Sequence, residues 1–311
     1  MRCRFSAYLR IKYSLMSTHS WEGVYTAIVT PFKDGEVDYQ SLQALVVEQA
    51  DAGIKGIVAV GTTGESPTLN IKEHLKVVSA VVEAAEGRMQ VIAGTGSNDT
   101  RSALHTTKES DKLGVDGFLQ VGPYYNKPSQ EGLFQHFSAI AEATDKPIML
   151  YSIPGRSGIA IDTPTVARLR KRHAHINCIK EAGGSCDKVS ELVHELGDDI
   201  TVLCGDDALT LPFMSVGAKG VVSVTSNLLP KGMVDMVAAA LQNDFAAAHK
   251  IHAEYFPLFA NMLSLEPNPV SIKYALYLAG KIPSPTVRLP LVMPSERSLA
   301  TLKELLKPVL S

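Results

Sequence analysis

The chain is short of the residues that announce metals, membranes and nucleic acids. Its 4 cysteines, Cys3, Cys178, Cys186 and Cys204, are spread over 311 residues. None forms a Cys-x-x-Cys pair, which argues against zinc fingers and dithiol redox centres. That usage points to reduced thiols and a cytoplasmic location. No charge dominates: 30 Lys+Arg stand against 32 Asp+Glu, a formal net charge of −2. Such a chain has no global basic field to recruit nucleic acid or an anionic membrane. No apolar run reaches the ~20 residues of a membrane span. No His, Asp and Glu set has catalytic metal spacing, so no metal is expected. There is no Walker lysine motif. Gly94-Thr95-Gly96 begins like a dinucleotide loop but follows the third predicted strand and fails at Asp99.

The N-terminus is unusual. Met1 to Leu15 carries Arg2, Arg4, Arg10 and Lys12 and no acid. A transit-like peptide is one reading. The favoured reading puts the true start at Met16. Residues 1–20 are expected to be an N-terminal extension outside the fold.

What is present is a repeated alternation. Short β-rich runs recur at Val24–Val29, Gly56–Val60, Gln90–Ala93, Gly117–Val121, Pro147–Tyr151, Ile176–Lys180, Thr201–Cys204 and Gly220–Val224. Helical patterns lie between them, as in Asp38–Ala52 with Leu42, Leu45, Val46 and Ala50 at helical spacing. Asp38, Asn70, Ser129 and Asp162 stand where helix caps belong, and Pro164 suits a first turn. Gly53, Gly87, Gly114, Gly197 and Gly217 stand at helix ends, where a left-handed residue is wanted. Strands alternating with helices predict a parallel sheet. Eight such units predict an α/β fold, a closed (β/α)8 TIM barrel over residues 21–243. Beyond it, residues 244–311 read as a C-terminal helical region.

In such a barrel the chemistry lies where the strands end. Lys180 closes Ile176-Asn177-Cys178-Ile179-Lys180. An ammonium in a strand is costly unless something uses it. A desolvated amine is favoured in its neutral form, which attacks carbonyls. Lys180 therefore points to Schiff-base chemistry. Strand alternation puts Ile176, Cys178 and Lys180 on one face. With Lys180 aimed into the barrel mouth, Ile176 and Cys178 are expected to fill layers beneath it. Tyr151 ends the neighbouring strand, so phenol and amine form a candidate proton relay. Strand two ends in Gly61-Thr62-Thr63-Gly64-Glu65-Ser66. Its glycines, hydroxyls and amides read as a carboxylate-binding nest, with a plain tight turn as the alternative. Arg156 is a candidate carboxylate clamp or an ordinary loop arginine. Asp206 and Asp207 are expected to cap the next helix. His74, His105 and His136 lie on helical segments and read as solvent-side or structural.

These motifs, with Pro123-Tyr124-Tyr125-Asn126-Lys127-Pro128, Pro154-Gly155-Arg156, Ile179-Lys180-Glu181-Ala182, Gly205-Asp206-Asp207 and Glu266-Pro267-Asn268-Pro269, occur in one order and spacing. In that respect the chain resembles the dihydrodipicolinate synthase family from about Trp21 onward. The resemblance implies a lyase that joins pyruvate to L-aspartate 4-semialdehyde in lysine and diaminopimelate biosynthesis. Lys180 would form the Schiff base, with no other cofactor. Tyr151 would act as general acid/base, and Thr62 would relay its protons. Tyr125 would complete the relay from a partner subunit. Thr63 and the Thr62 amide would hold the pyruvate carboxylate, and Arg156 that of the semialdehyde. Gly205 and Val222 would line the pyruvate pocket. A homotetramer, built as a dimer of dimers, is the family habit.

N-acetylneuraminate lyases and 2-keto-3-deoxy sugar acid aldolases share this scaffold. Arg156 favours the synthase, although Ser157 replaces the family's commoner threonine. A non-catalytic keto-acid-binding barrel predicts loss of Lys180, Tyr151 or Tyr125, and all three are present. The resemblance also places an effector site for lysine at Ser66, Pro67, Ile71, His74, Asn98, Ser102 and Tyr124. Ile71 and Ser102 depart from the histidine and glutamate of lysine-sensitive members. Weak or absent lysine feedback is expected.

Overall fold

The computed structural model describes residues 20–310. The expected N-terminal extension, with both candidate starts, lies outside the described residues except for Ser20.

Eight strands close into one barrel: β1 (Gly23–Ala27), β2 (Gly56–Ala59), β3 (Gln90–Gly94), β4 (Gly117–Val121), β5 (Ile148–Ser152), β6 (Ile176–Glu181), β7 (Thr201–Cys204) and β8 (Gly220–Ser223). Every neighbouring pair is parallel, and β1 pairs with both β2 and β8. The expected (β/α)8 architecture is met. Parallel strands are covered on both faces, so they are apolar on both. Two apolar layers result. Tyr25, Val58, Ile92, Leu119, Met149, Cys178 and Leu203 fill the barrel interior. A larger layer packs between the strands and the surrounding helices.

Those helices are α1 (Tyr39–Asp51), α2 (Ile71–Ala85), α3 (Thr100–Asp111), α4 (Gln130–Ala141), the short α5 (Pro154–Ser157), α6 (Thr163–Arg172), α7 (Cys186–Leu196), α8 (Thr210–Ser215) and α9 (Pro230–Leu241). Asp38, Asn70 and Ser129 accept first-turn amides as caps do, and Asn70 forms a full capping box with Glu73. Asp162 precedes α6 without a side-chain cap bond, so Pro164 alone marks that start. All five helix-end glycines have positive φ.

The expected parity of β6 fails at one residue. Ile148 pairs with Ile176, but Met149 pairs with Cys178, so Asn177 is an extra, bulged residue. Ile176 consequently packs in the strand–helix layer and not beneath Lys180. Asn177 accepts from Trp21 Nε1 at 2.8 Å, a polar contact that the bulge makes possible. Cys178 and Lys180 keep the inward face. A hairpin of Phe32–Lys33 and Glu36–Val37 was not expected. Asp34 and Gly35 form its turn with φ of 52° and 86°, as an Asp-Gly hairpin turn requires.

The end of β8 is sewn to β1. Asn227 Nδ2 donates to Ala27 O at 2.8 Å, and Val29 N donates to Asn227 Oδ1 at 3.2 Å. Asp206 caps the turn before α8 by accepting from Ala208 N. Asp207 does not cap it. Its buried carboxylate accepts from Thr225 N at 2.7 Å and Thr225 Oγ1 at 2.8 Å. The C-terminal helices are α10 (Phe245–Met262), α11 (Val270–Leu278) and α12 (Glu296–Leu310). Helix α11 packs against α12 and the Thr225–Asn227 turn, which places it by the C-terminal mouth of the barrel. No helix among the described residues is long and apolar enough to cross a membrane.

Candidate active site

Lys180 and Tyr151 pair in register at the ends of β6 and β5. Lys180 is 6% exposed, and its Nζ lies 4.2 Å from the centroid of the Tyr151 ring. Among the described residues no carboxylate pairs with it. Glu181, next in sequence, is buried on the other face and accepts from Gly183 N at 2.6 Å. Burial raises its pKa above the usual carboxylate value. Gly205 makes room for the amine. A Cβ there would stand 3.0 Å from Lys180 Cε and 2.6 Å from Ala182 Cβ.

Lys180 opens into a cavity lined also by Thr62, Thr63, Tyr151, Arg156, Gly205, Val224, Leu263 and Asn268. Val222 was expected in this wall. It lies deeper, in the barrel interior, and Val224 lines the cavity.

The β2 loop is strained where it meets the cavity. Val60 has φ of 54°, a costly conformation for a β-branched residue and one that marks functional turns. Gly64 N and Ser66 N then bond back to Gly61 O, and Glu65 N to Thr62 O. Among the described residues no acceptor takes the amides of Thr62 and Thr63. Two free amides beside two hydroxyls are the groups an anion nest would need. Thr63 is 2% exposed, and its Oγ1 accepts from Asn268 Nδ2 at 3.0 Å.

The same loop is anchored by a buried ion pair. Glu65, with φ of 54°, accepts from Lys273 Nζ at 2.7 Å, and both side chains are fully buried. Arg288 N donates to the other carboxylate oxygen at 2.9 Å. Burial pushes the Lys273 pKa down to about 8 against the opposing pull of Glu65. Sequence reasoning missed this pair and Asn268. A signal for Lys273 exists: it is the lone charged residue of α11, Val-Ser-Ile-Lys-Tyr-Ala-Leu-Tyr-Leu.

Arg156 sits on α5 directly after β5, exposed at the cavity rim. Ser157 is buried, with its hydroxyl within hydrogen-bond distance of Ile159 O at 2.7 Å and Ile153 O at 2.9 Å. Tyr125 is the catalytic candidate that this chain does not bring to the cavity. It is 90% exposed with φ of 74°. Ser66 and Tyr124 line an adjoining cavity that shares Thr62, Tyr151 and Arg156. His74 is buried on α2, and burial pushes its pKa down to about 4. Asn98 O accepts from Asn126 Nδ2 at 2.8 Å. Ile71 is exposed, and Ser102 Oγ donates to Asp99 at 2.6 Å. His136 is buried against Thr100, whereas His105 faces solvent. Among the described residues no group of three or more His, Cys, Asp or Glu could hold a metal ion.

Fold and site together define a class: a (β/α)8 barrel whose strand ends bring an amine with no carboxylate partner among the described residues, a phenol and a hydroxyl-bearing loop to one cavity. Known proteins narrow it. Residues 20–309 match the model of the Dihydrodipicolinate synthetase family. The 4-hydroxy-tetrahydrodipicolinate synthase of Methanocaldococcus jannaschii is 46% identical over 92% of this chain and 98% of its own. The solved structure of that synthase from Methylacidiphilum fumariolicum SolV is 49% identical, covers 93% of this chain and 96% of its own, and has a TM-score of 0.91. Another solved structure, described as the first monomeric dihydrodipicolinate synthase variant, is 41% identical over 92% of this chain and 96% of its own, with a TM-score of 0.89. The chain belongs to the dihydrodipicolinate synthetase family.

Proposed function

We infer that this chain is a Schiff-base-forming lyase that condenses pyruvate with L-aspartate 4-semialdehyde in lysine and diaminopimelate biosynthesis. The observation that carries the reading is Lys180, buried, without a carboxylate partner among the described residues, beside the Tyr151 ring and lining one cavity with the Thr62–Thr63 loop.

The neutral amine attacks the pyruvate C2 carbonyl, and loss of water leaves an imine. Tyr151 hands protons to and from the reacting oxygen, with Thr62 as its relay. Thr63 and the Thr62 amide hold the pyruvate carboxylate. Loss of a C3 proton gives the enamine, whose carbon attacks the aldehyde. The semialdehyde's own amine then closes the ring and displaces Lys180. Arg156 binds the semialdehyde carboxylate through its planar fork. Gly205 keeps the pyruvate pocket open, and Val222 supports it from the interior. The covalent link to Lys180 carries the chemistry without a further cofactor.

Tyr125 joins the relay from a partner subunit in a homotetramer built as a dimer of dimers. Its exposed, left-handed position supports a role outside its own chain. A cytoplasmic location goes with this reading. Sugar-acid aldolase chemistry is the second reading, and Arg156 at the rim supports the synthase over it. A product assay decides. Turnover of pyruvate with L-aspartate 4-semialdehyde, and none with N-acetylmannosamine, is expected. The reverse preference overturns the assignment.

A further inference from the structure

Asn268 has no role in the reaction as set out above, yet it lines the Lys180 cavity. It is 9% exposed. Its Nδ2 donates to Thr63 Oγ1, and its Oδ1 is buried with no partner among the described residues. A hydroxyl has one proton to give and two acceptor positions. With an amide N–H already on its oxygen, Thr63 has its own proton left to give. Among the described residues nothing accepts that proton.

We propose that Asn268 is a positioning residue for keto-acid binding. It holds the Thr63 hydroxyl as a donor toward the substrate carboxylate. The proposal rests on the pyruvate-binding reading and deepens it. The C-terminal region grips the nest at two points. Asn268 holds Thr63, and Lys273 holds Glu65 two residues further along the same loop. Asn268 is itself fixed by the start of α11, where Val270 N bonds Pro267 O and Lys273 N bonds Pro269 O. A rigid donor orients a hydroxyl at little entropic cost. Asn268→Asp inverts the arrangement. Its carboxylate draws the Thr63 proton to itself and sets a negative charge beside the carboxylate site.

The test uses the full chain and borohydride trapping on Lys180, read as the half-saturating ligand concentration. Pyruvate is compared with pyruvamide, which keeps the ketone and lacks the carboxylate charge. Asn268→Ala is expected to raise the value for pyruvate about 10-fold, with pyruvamide changed about 2-fold or less. Asn268→Asp is expected to raise it on the order of 100-fold. In a Thr63→Val background, Asn268→Ala should add nothing, because the two side chains act as one unit. Equal effects on both ligands, no effect on pyruvate, or full additivity with Thr63→Val each overturn the proposal. Should Asn268→Ala fail to fold, the isosteric Asn268→Asp decides by the same ratio, and an unchanged ratio overturns it. Absence of any pyruvate adduct on the unmodified chain would instead overturn the functional reading beneath it.

Discussion

Two lysines lie buried near one loop, and they are held in opposite ways. Lys273 is fully buried in α11, with Glu65 2.7 Å away. Lys180 is 6% exposed at the end of β6, with a tyrosine ring and a cavity for neighbours and no carboxylate among the described residues. At Lys273 removal from water disfavours the charge and lowers the pKa to about 8. At Lys273 a buried carboxylate answers that charge, and the outcome is a fixed loop. At Lys180 no carboxylate among the described residues stands against the amine, which meets the Tyr151 ring and a cavity instead. The comparison teaches that burial of a lysine is not itself a functional signal. The missing partner is.

The largest expected effect breaks the comparison at Lys180. Lys180→Ala should lower kcat/KM on the order of 10^4-fold or more. Its melting temperature should hold, because no ion pair is lost. A melt that collapses with activity would make Lys180 structural. The next effect lies at Lys273. Lys273→Met leaves the Glu65 carboxylate buried without its cation, held only by Arg288 N, and should cost about 3–5 kcal/mol of stability in urea unfolding. Adding Glu65→Leu should restore much of it. A neutral Lys273→Met would show that the pair holds nothing.

His74 supplies a third case, a buried basic group with no carboxylate partner among the described residues. Burial moves its pKa from 6.5 to about 4. The folded state therefore binds fewer protons than the unfolded state between those values. Stability is full above pH 6.5 and falls as pH drops toward 4. At pH 5 the loss should be about 2 kcal/mol. His74→Leu should remove that share of the acid sensitivity in urea titrations at pH 7 and pH 5. The smallest expected effect is at the effector position. A bound lysine needs for its ammonium what Lys273 has in Glu65. Ser102 offers only a hydroxyl already donated to Asp99. Sub-millimolar lysine should leave steady-state turnover unchanged, and clear inhibition would refute this.

Much of this was legible from residue order. Parallel strands buried on both faces announce themselves as apolar runs, so the barrel could be counted before it was seen. The bulge at Asn177 could not, because one extra residue shifts parity without changing composition. The hairpin at residues 32–37 has two-residue strands, too short for a period, although Asp34-Gly35 marked its turn. At the site, Lys180, Tyr151 and the Thr62–Thr63 loop were readable because each is an odd residue in a regular place. Lys273 carried the same oddity in α11 and was passed over. Asn268 carried none. Its contact with Thr63 spans 205 residues, and only the packing of the C-terminal region creates it. Val222 lies within β8 and Val224 just past its end, so the point where the strand stops separates them.

The central claim is that the unpartnered lysine is the reactive one. Incubation with pyruvate and borohydride, followed by peptide mass mapping, tests it directly. A stable adduct on Lys180, with Lys273 unmodified, is the result predicted. No adduct, or an adduct carried elsewhere while Lys180 stays free, would contradict it.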